Sequence, residues 1–386
     1  MRRFIQSFLI LIISLTPIFN IEDGLGVLGF SFSSAIIFAK ILKDVCITFV
    51  AIAGLVYILF FKHPNSQILF IFSLFLLFTG IGVFFSSNLI IAAAGIRWCL
   101  PFFLIFILYD LVDYKFIERL TKVLYYLVLI NILLQVYQMF NMPPIRGRVF
   151  GLAGRVGGFY ALPSIAGIFG TLSFFMVRYY SNFKKNKKKI ALLFCSLTVL
   201  LSMSSTGVGL LFFILIFPFY LKSRYKFFLG FLIFPLAFLT FLNLDTLTGR
   251  ADGSSLSSFS TRIRILEEQV TSAGIISPNF GLATNTAVNL RTKLEISSDA
   301  FVADSLYTSV IGNYGWFFTI ILLLILINVG FKIFSRRQID IKMFFIICCL
   351  ASSSLILTEI FPVNLIMTVL ASWYLSRNKK TNVIMT

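Results

Sequence analysis

Apolar runs of roughly 15–21 residues, separated by short polar connectors, repeat along almost the whole chain, and each is long enough to cross or nearly cross a bilayer core. They predict spans at about 4–20, 44–61, 67–85, 89–109, 123–140, 161–178, 190–203, 207–221, 227–243, 314–332, 343–357 and 361–376. Twelve crossings place both termini on one side. The run 4–20 follows Arg2 and Arg3 without an A-x-A-like cleavage site and reads as a retained first helix. The apolar piece 25–39 would break the parity and reads as an interfacial or re-entrant helix. Two connectors are long. One, 141–161, is rich in Gly and Arg; the other, 244–303, has a Ser-rich opening and a helical pattern from Thr261 to about Ser272, with Ile263, Leu266 and Val270 in register. Long loops in compact membrane proteins are usually functional. The expected architecture is therefore an all-α polytopic membrane protein of about 12 transmembrane helices, a single integral domain over 1–386 with two sizeable outer loops.

Charge orients this layout. If Arg2 and Arg3 are cytoplasmic, that face collects 14 Lys and 8 Arg, whereas the outer face, with Arg97 counted, has 3 Lys and 8 Arg. Lysine follows the positive-inside rule, with both termini cytoplasmic. The outer arginines need another explanation, and a planar fork of donors suits phosphate and carboxylate. The net charge of +18 does not indicate nucleic acid, because its densest run, Lys184 to Lys189, lies between two apolar spans.

Composition agrees with the pattern. The chain is 59% hydrophobic and 12% charged, with 47 Phe, which excludes a soluble domain and lacks the alternation of a β-barrel. Cys46, Cys99, Cys195, Cys348 and Cys349 all lie in apolar segments, without zinc or disulfide spacing. The run Gly24 to Gly29 satisfies G-x-G-x-x-G but has no strand–turn–helix context and is a chance match.

The candidate chemistry collects outside. Arg146, Arg148 and Arg155 lie in a loop with Gly147, Gly151, Gly154, Gly157 and Gly158, where backbone amides and guanidiniums together suit a pyrophosphate. Arg262 and Arg264 open the helix of the second loop; Arg264 has Glu268 four residues on as a local partner. Arg97 lies about 12 Å inside its span, where a charge is costly and commonly functional, although Trp98 beside it also fits an interface position. The sole histidine, His63, is cytoplasmic, so a base must come from Glu267, Glu268, Glu295, Asp299 or Asp304. Asp304, where the chain re-enters the membrane, is the catalytic candidate; the alternative is a helix N-terminal charge. No metal cluster is visible, and no cofactor is expected.

These motifs in this order resemble those of O-antigen polymerases (Wzy-type) and the related O-antigen ligases. Gly147–Arg148–Val149–Phe150–Gly151 through Pro163 resembles their R-x-x-G-x-(F/Y)…P segment. Ser202–Met203–Ser204–Ser205–Thr206–Gly207 is similar to S-x-S-R-x-G, with Ser205 where Arg is common. Thr261–Arg262 through Gly281, then Asp304–Ser305–Leu306–Tyr307, resembles the large loop and the helix after it. In ligases a His-Asn pair stands where this chain has Asp304–Ser305, which leans towards polymerase. The resemblance implies a GT-C-like, metal-independent membrane glycosyltransferase in the bacterial cytoplasmic (inner) membrane. It would move a growing O-antigen or capsule glycan from undecaprenyl pyrophosphate to the sugar end of another lipid-linked repeat unit. The implied partners are that lipid-linked oligosaccharide, membrane lipids, a chain-length regulator and a flippase, with no nucleic acid. A ligase acting on lipid A core is the alternative within the superfamily; a flippase or transporter of lipid-linked oligosaccharide is the alternative in another class.

Overall fold

The computed structural model describes residues 1–26, 34–61, 66–86, 88–141, 148–149, 152–153, 155–160, 162–222, 260, 263–268, 270–271, 273–277, 280–284, 305–335, 338–353 and 355–383. Almost all of them are helical: α1 (Arg2–Ser14), α2 (Thr16–Phe19), α3 (Ile21–Gly26), α4 (Ser34–Phe61), α5 (Ser66–Phe85), α6 (Leu89–Ile107), α7 (Tyr114–Asn141), α8 (Pro163–Tyr180), α9 (Lys185–Ser202), α10 (Ser205–Lys222), α11 (Leu306–Phe334), α12 (Ile339–Ser352) and α13 (Val363–Val383). The all-α expectation needs one small addition, a two-residue antiparallel hairpin between β1 (Arg148–Val149) and β2 (Leu152–Ala153). Among the described residues, four helical stretches are long and apolar enough to cross a membrane: Phe38–Phe60, Leu89–Ile107, Tyr114–Asn141 and Leu306–Phe334. Two shorter apolar helices, Leu69–Phe85 and Ser205–Tyr220, accompany them.

Several element bounds differ from the hydropathy pattern, each for a local reason. The pattern separates 25–39 from 44–61, but helix α4 runs unbroken from Ser34. Lys40, Lys43 and Asp44 interrupt the hydropathy without interrupting the helix; Lys40 is paired with Glu22 at 2.8 Å. Helix α9 begins at Lys185, so the lysine run forms its first turn rather than a connector. Helix α11 begins at Leu306, eight residues before the expected span, under a capping box in which Ser305 and Thr308 exchange hydrogen bonds.

The chain divides into two compact units: Met1–Gln6, Thr48–Asp113 and Ser260–Thr386 form the first, and Ser7–Ile47 with Tyr114–Phe259 form the second. In the first unit, α5, α6 and α11 meet through aromatic rings. Phe75 lies edge-on to Phe318 at 5.1 Å and stacks on Phe102 at 5.7 Å. Helix α13 joins α6 by hydroxyl bonds to main-chain carbonyls, Thr368 Oγ1 to Pro101 O at 3.3 Å and Ser372 Oγ to Ile105 O at 2.8 Å. The N-terminal turn is fastened by Arg2, which donates to Asp113 at 2.9 Å and to Leu111 O at 3.2 Å.

In the second unit α8 is the central helix, packed by α7, α9 and α10 and buried on nearly every side. Glycines permit the close approach. A Cβ on Gly207 of α10 would come within 2.6 Å of Gly167 Cα on α8, the small-residue contact that lets helices associate without a hydrophobic driving force. The Ser202–Gly207 turn that joins α9 to α10 is buried with it: Met203 takes the left-handed conformation at φ 45°, and Ser204 Oγ accepts the Gly207 N–H at 3.2 Å.

Helix α10 contains Pro218, which has no N–H to give to the carbonyl four residues earlier, that of Ile214. Arg178, at the end of α8, donates to that carbonyl at 2.9 Å. The guanidinium thus replaces the missing helical bond. We predict that Arg178→Ala lowers thermal stability in detergent by about 1–3 kcal/mol, the cost of an orphaned buried acceptor. In a Pro218→Ala background, where the helix supplies its own N–H, the same substitution should cost much less. Equal losses in both backgrounds would refute this account.

Candidate functional site

The described part of the Gly–Arg loop is held by one face of α7. Asn131, Gln135 and Gln138 follow one another at intervals of four and three residues, and all three are fully buried. Gln138 grips one residue twice, donating through Nε2 to Gly158 O at 2.6 Å and accepting the Gly158 N–H at Oε1 at 2.7 Å. Asn131 Oδ1 accepts the Phe159 N–H at 3.1 Å. Gln135 Nε2 donates to Val156 O and to Thr198 O, each at 3.2 Å, tying the loop to α9 as well. The backbone from Val156 to Phe159 thereby receives from side chains the pairing that a helix or sheet would otherwise supply.

Gly158 is required at its position. It has φ +68°, and a Cβ there would collide with the Asn131 amide. Phe159 and Tyr160 then turn inward and pack on Phe169 of α8, at 5.8 and 5.6 Å between ring centres. Burial pushes the Tyr160 phenol well above its ordinary pKa, so it stays protonated. Arg155 sits at the mouth of this segment and is half-buried.

A comparable arrangement closes the second long connector within the first unit. Residues 273–277 and 280–284, expected to belong to an outer loop, are in part packed into the helices. Gly315, at φ 79° and ψ −175°, breaks α11. The N–H groups freed by the break, those of Trp316 and Phe317, donate to Gly274 O and Ile275 O, both at 3.1 Å. Asn313 Oδ1 accepts the N–H of Gly281 at 2.8 Å and of Ala283 at 3.2 Å, and its Nδ2 donates to Ala283 O at 3.2 Å. Ser309 Oγ also donates to Ala283 O. Phe280, fully buried, enters a notch floored by Gly82 and Gly95, where a Cβ on Gly82 would approach its ring to 2.6 Å.

The candidate residues distribute as follows. In the second unit, Arg148 lies in β1 and Arg155 directly precedes the amide-held segment 156–159. In the first unit, Arg97 is half-buried in α6. Its neighbour Trp98 is fully buried, 5.7 Å from the Tyr314 ring. Arg264 lies on the helical stretch 263–268, exposed, with Glu268 at 3.6 Å. Arg146, Arg262 and Asp304 lie outside the described residues. The N-cap of α11 is Ser305, which leaves Asp304 one position before the cap. Among the described residues no group of three or more His, Cys, Asp or Glu is arranged to hold a metal ion.

Arginines and carboxylates stand out in the sequence, whereas the amides that hold the segment after Arg155 carry a quieter signal. Three amides at helical spacing in an otherwise apolar span are costly in lipid and call for buried partners. Comparison with protein-family models, curated proteins and solved structures finds no match.

We predict that Gly158→Ala lowers thermal stability in detergent by several kcal/mol, because positive φ and the Asn131 contact both oppose a side chain. Gly209, in α10, is the control, since a Cβ there meets nothing within 4 Å. Gly209→Ala should be neutral or gain up to about 1 kcal/mol from helix propensity. A neutral Gly158→Ala would contradict the geometry.

Proposed function

We propose that the protein is a polysaccharide repeat-unit polymerase of the bacterial cytoplasmic membrane, with twelve crossings, both termini cytoplasmic and the two long connectors outside. The observation that carries the reading is the Gly–Arg segment around Arg148 and Arg155. Just after Arg155 its backbone, at Val156, Gly158 and Phe159, is seated by buried amides, the rigid support expected of a segment that presents a guanidinium to an anion. The excess of arginine on the same assigned face and the motif order described above support it further.

In this reaction a sugar hydroxyl oxygen of the incoming repeat unit attacks the anomeric carbon of the growing chain. The glycosidic C–O bond to undecaprenyl pyrophosphate breaks, and its electron pair leaves on the pyrophosphate. On the motif order of the sequence, Arg146, Arg148, Arg155 and Arg262 are assigned to binding that group and neutralising the charge that develops on it, with Arg97 and Arg264 assigned to the surrounding field. Stabilisation that grows as the bond breaks is the kind that accelerates the step. Asp304 takes the proton of the attacking hydroxyl.

Deletion of the gene should leave surface glycan as single repeat units without a long-chain ladder. Long chains that form but are not attached to lipid A core would instead indicate a ligase, and repeats retained on the inner leaflet a flippase. Within the protein, Arg→Lys at 146, 148, 155 or 262 should fail to restore activity, because lysine keeps the charge and loses the paired donors. Each loss should reduce the initial rate by roughly a hundred- to a thousandfold, or about 2.7–4 kcal/mol. Asp304→Asn should lower turnover while donor binding persists. Four active Lys variants would remove the arginine clamp; an active Asp304→Asn would remove the base.

A further inference from the structure

Resting on that reading, we infer that Gln138 and Asn131 of α7 are positioning residues that act through Arg155. Three hydrogen bonds join these two side chains to the consecutive peptides of Gly158 and Phe159. Both side chains are fully buried, so no water competes for the bonds and the segment has one seat. Gly158 fixes the direction of the chain there, because its left-handed backbone and the Asn131 amide fit only without a side chain. Gln135 adds a hold on Val156, the residue next to Arg155. The site at which the arginine leaves the seated segment is therefore set from within the membrane span, by uncharged groups that touch neither substrate nor leaving group. Loss of the hold displaces the guanidinium, and a displacement of about 1 Å at a catalytic group lowers a rate by about a hundredfold.

The test uses the full-length protein in detergent and in proteoliposomes, with Gln138→Leu, Asn131→Leu and Gln138→Asn compared at equal abundance. Gln138→Asn keeps the amide but shortens it by one carbon, so it carries the test if the leucine variants do not fold. Two readouts are needed. First, trypsin should cleave after Arg155 faster in each variant than in the unaltered protein, as read by mass spectrometry. Second, Gln138→Asn should slow polymerisation of lipid-linked repeats by about tenfold or more, yet have no further effect in an Arg155→Ala background. A merely structural role would lower both backgrounds alike, which would overturn the inference, as would unchanged protease protection. If the unaltered protein polymerises nothing while the protease result appears, the polymerase reading fails and the seating of the loop by α7 stands.

Discussion

The structure depends on the requirement that every backbone N–H and C=O removed from water find a partner. Inside a bilayer the requirement is at its strictest, and irregular backbone is tolerated only where protein groups satisfy it. This chain meets it at two irregular segments by the same chemistry. In one unit Gln138 and Asn131 supply the partners for Gly158 and Phe159; in the other Asn313 supplies them for Gly281 and Ala283. A primary amide offers a donor and an acceptor without charge, so it can pair with both the N–H and the C=O of one residue and remain neutral. An ionised side chain in the same place would bring a desolvation cost that the local contacts do not offset. Where a helix itself breaks, nearby main chain or an arginine completes the pairing, as at Gly315 and Pro218.

Glycine determines where these seats can be built. Gly158 and Gly281 both adopt positive φ, and a side chain on either would strike the main chain or the amide that receives the segment. Phe280 in its glycine-floored notch and Phe159 against α8 then lock the two segments by packing. Polar recognition and aromatic burial act together, so that flexible residue types give fixed geometry. In the second unit this framework fixes the backbone from Val156 to Phe159, next to Arg155.

Much of the helical layout was legible from apolar runs, because a lipid-facing helix has little choice but to be apolar along its length. The departures arose where polar residues served the helix rather than ending it. Lys40, Lys43 and Asp44 look like a boundary and lie inside α4. Arg178 reads as one more charge on a basic connector, and its bond to Ile214 O is intelligible only beside Pro218 in another helix. The candidate site was legible in part. The glycines and arginines of residues 146–158 stand out in the sequence, as does the Asp304–Ser305 pair. The amides on α7 were visible as a stripe but had no identifiable partner until the loop was folded onto them. Phe280, one of 47 phenylalanines, had nothing to distinguish it.

Under the proposed function, uncharged helix amides hold the segment beside Arg155, whose guanidinium promotes release of a lipid-linked pyrophosphate. The most direct measurement is reconstitution of the purified protein in liposomes with an undecaprenyl-pyrophosphate-linked repeat unit and EDTA, followed by gel analysis of the glycan. The account predicts a ladder of lengthening chains with release of undecaprenyl pyrophosphate, and its loss on Arg155→Lys. Absence of any ladder from correctly folded protein supplied with its own repeat unit, or an undiminished ladder from Arg155→Lys, would contradict it.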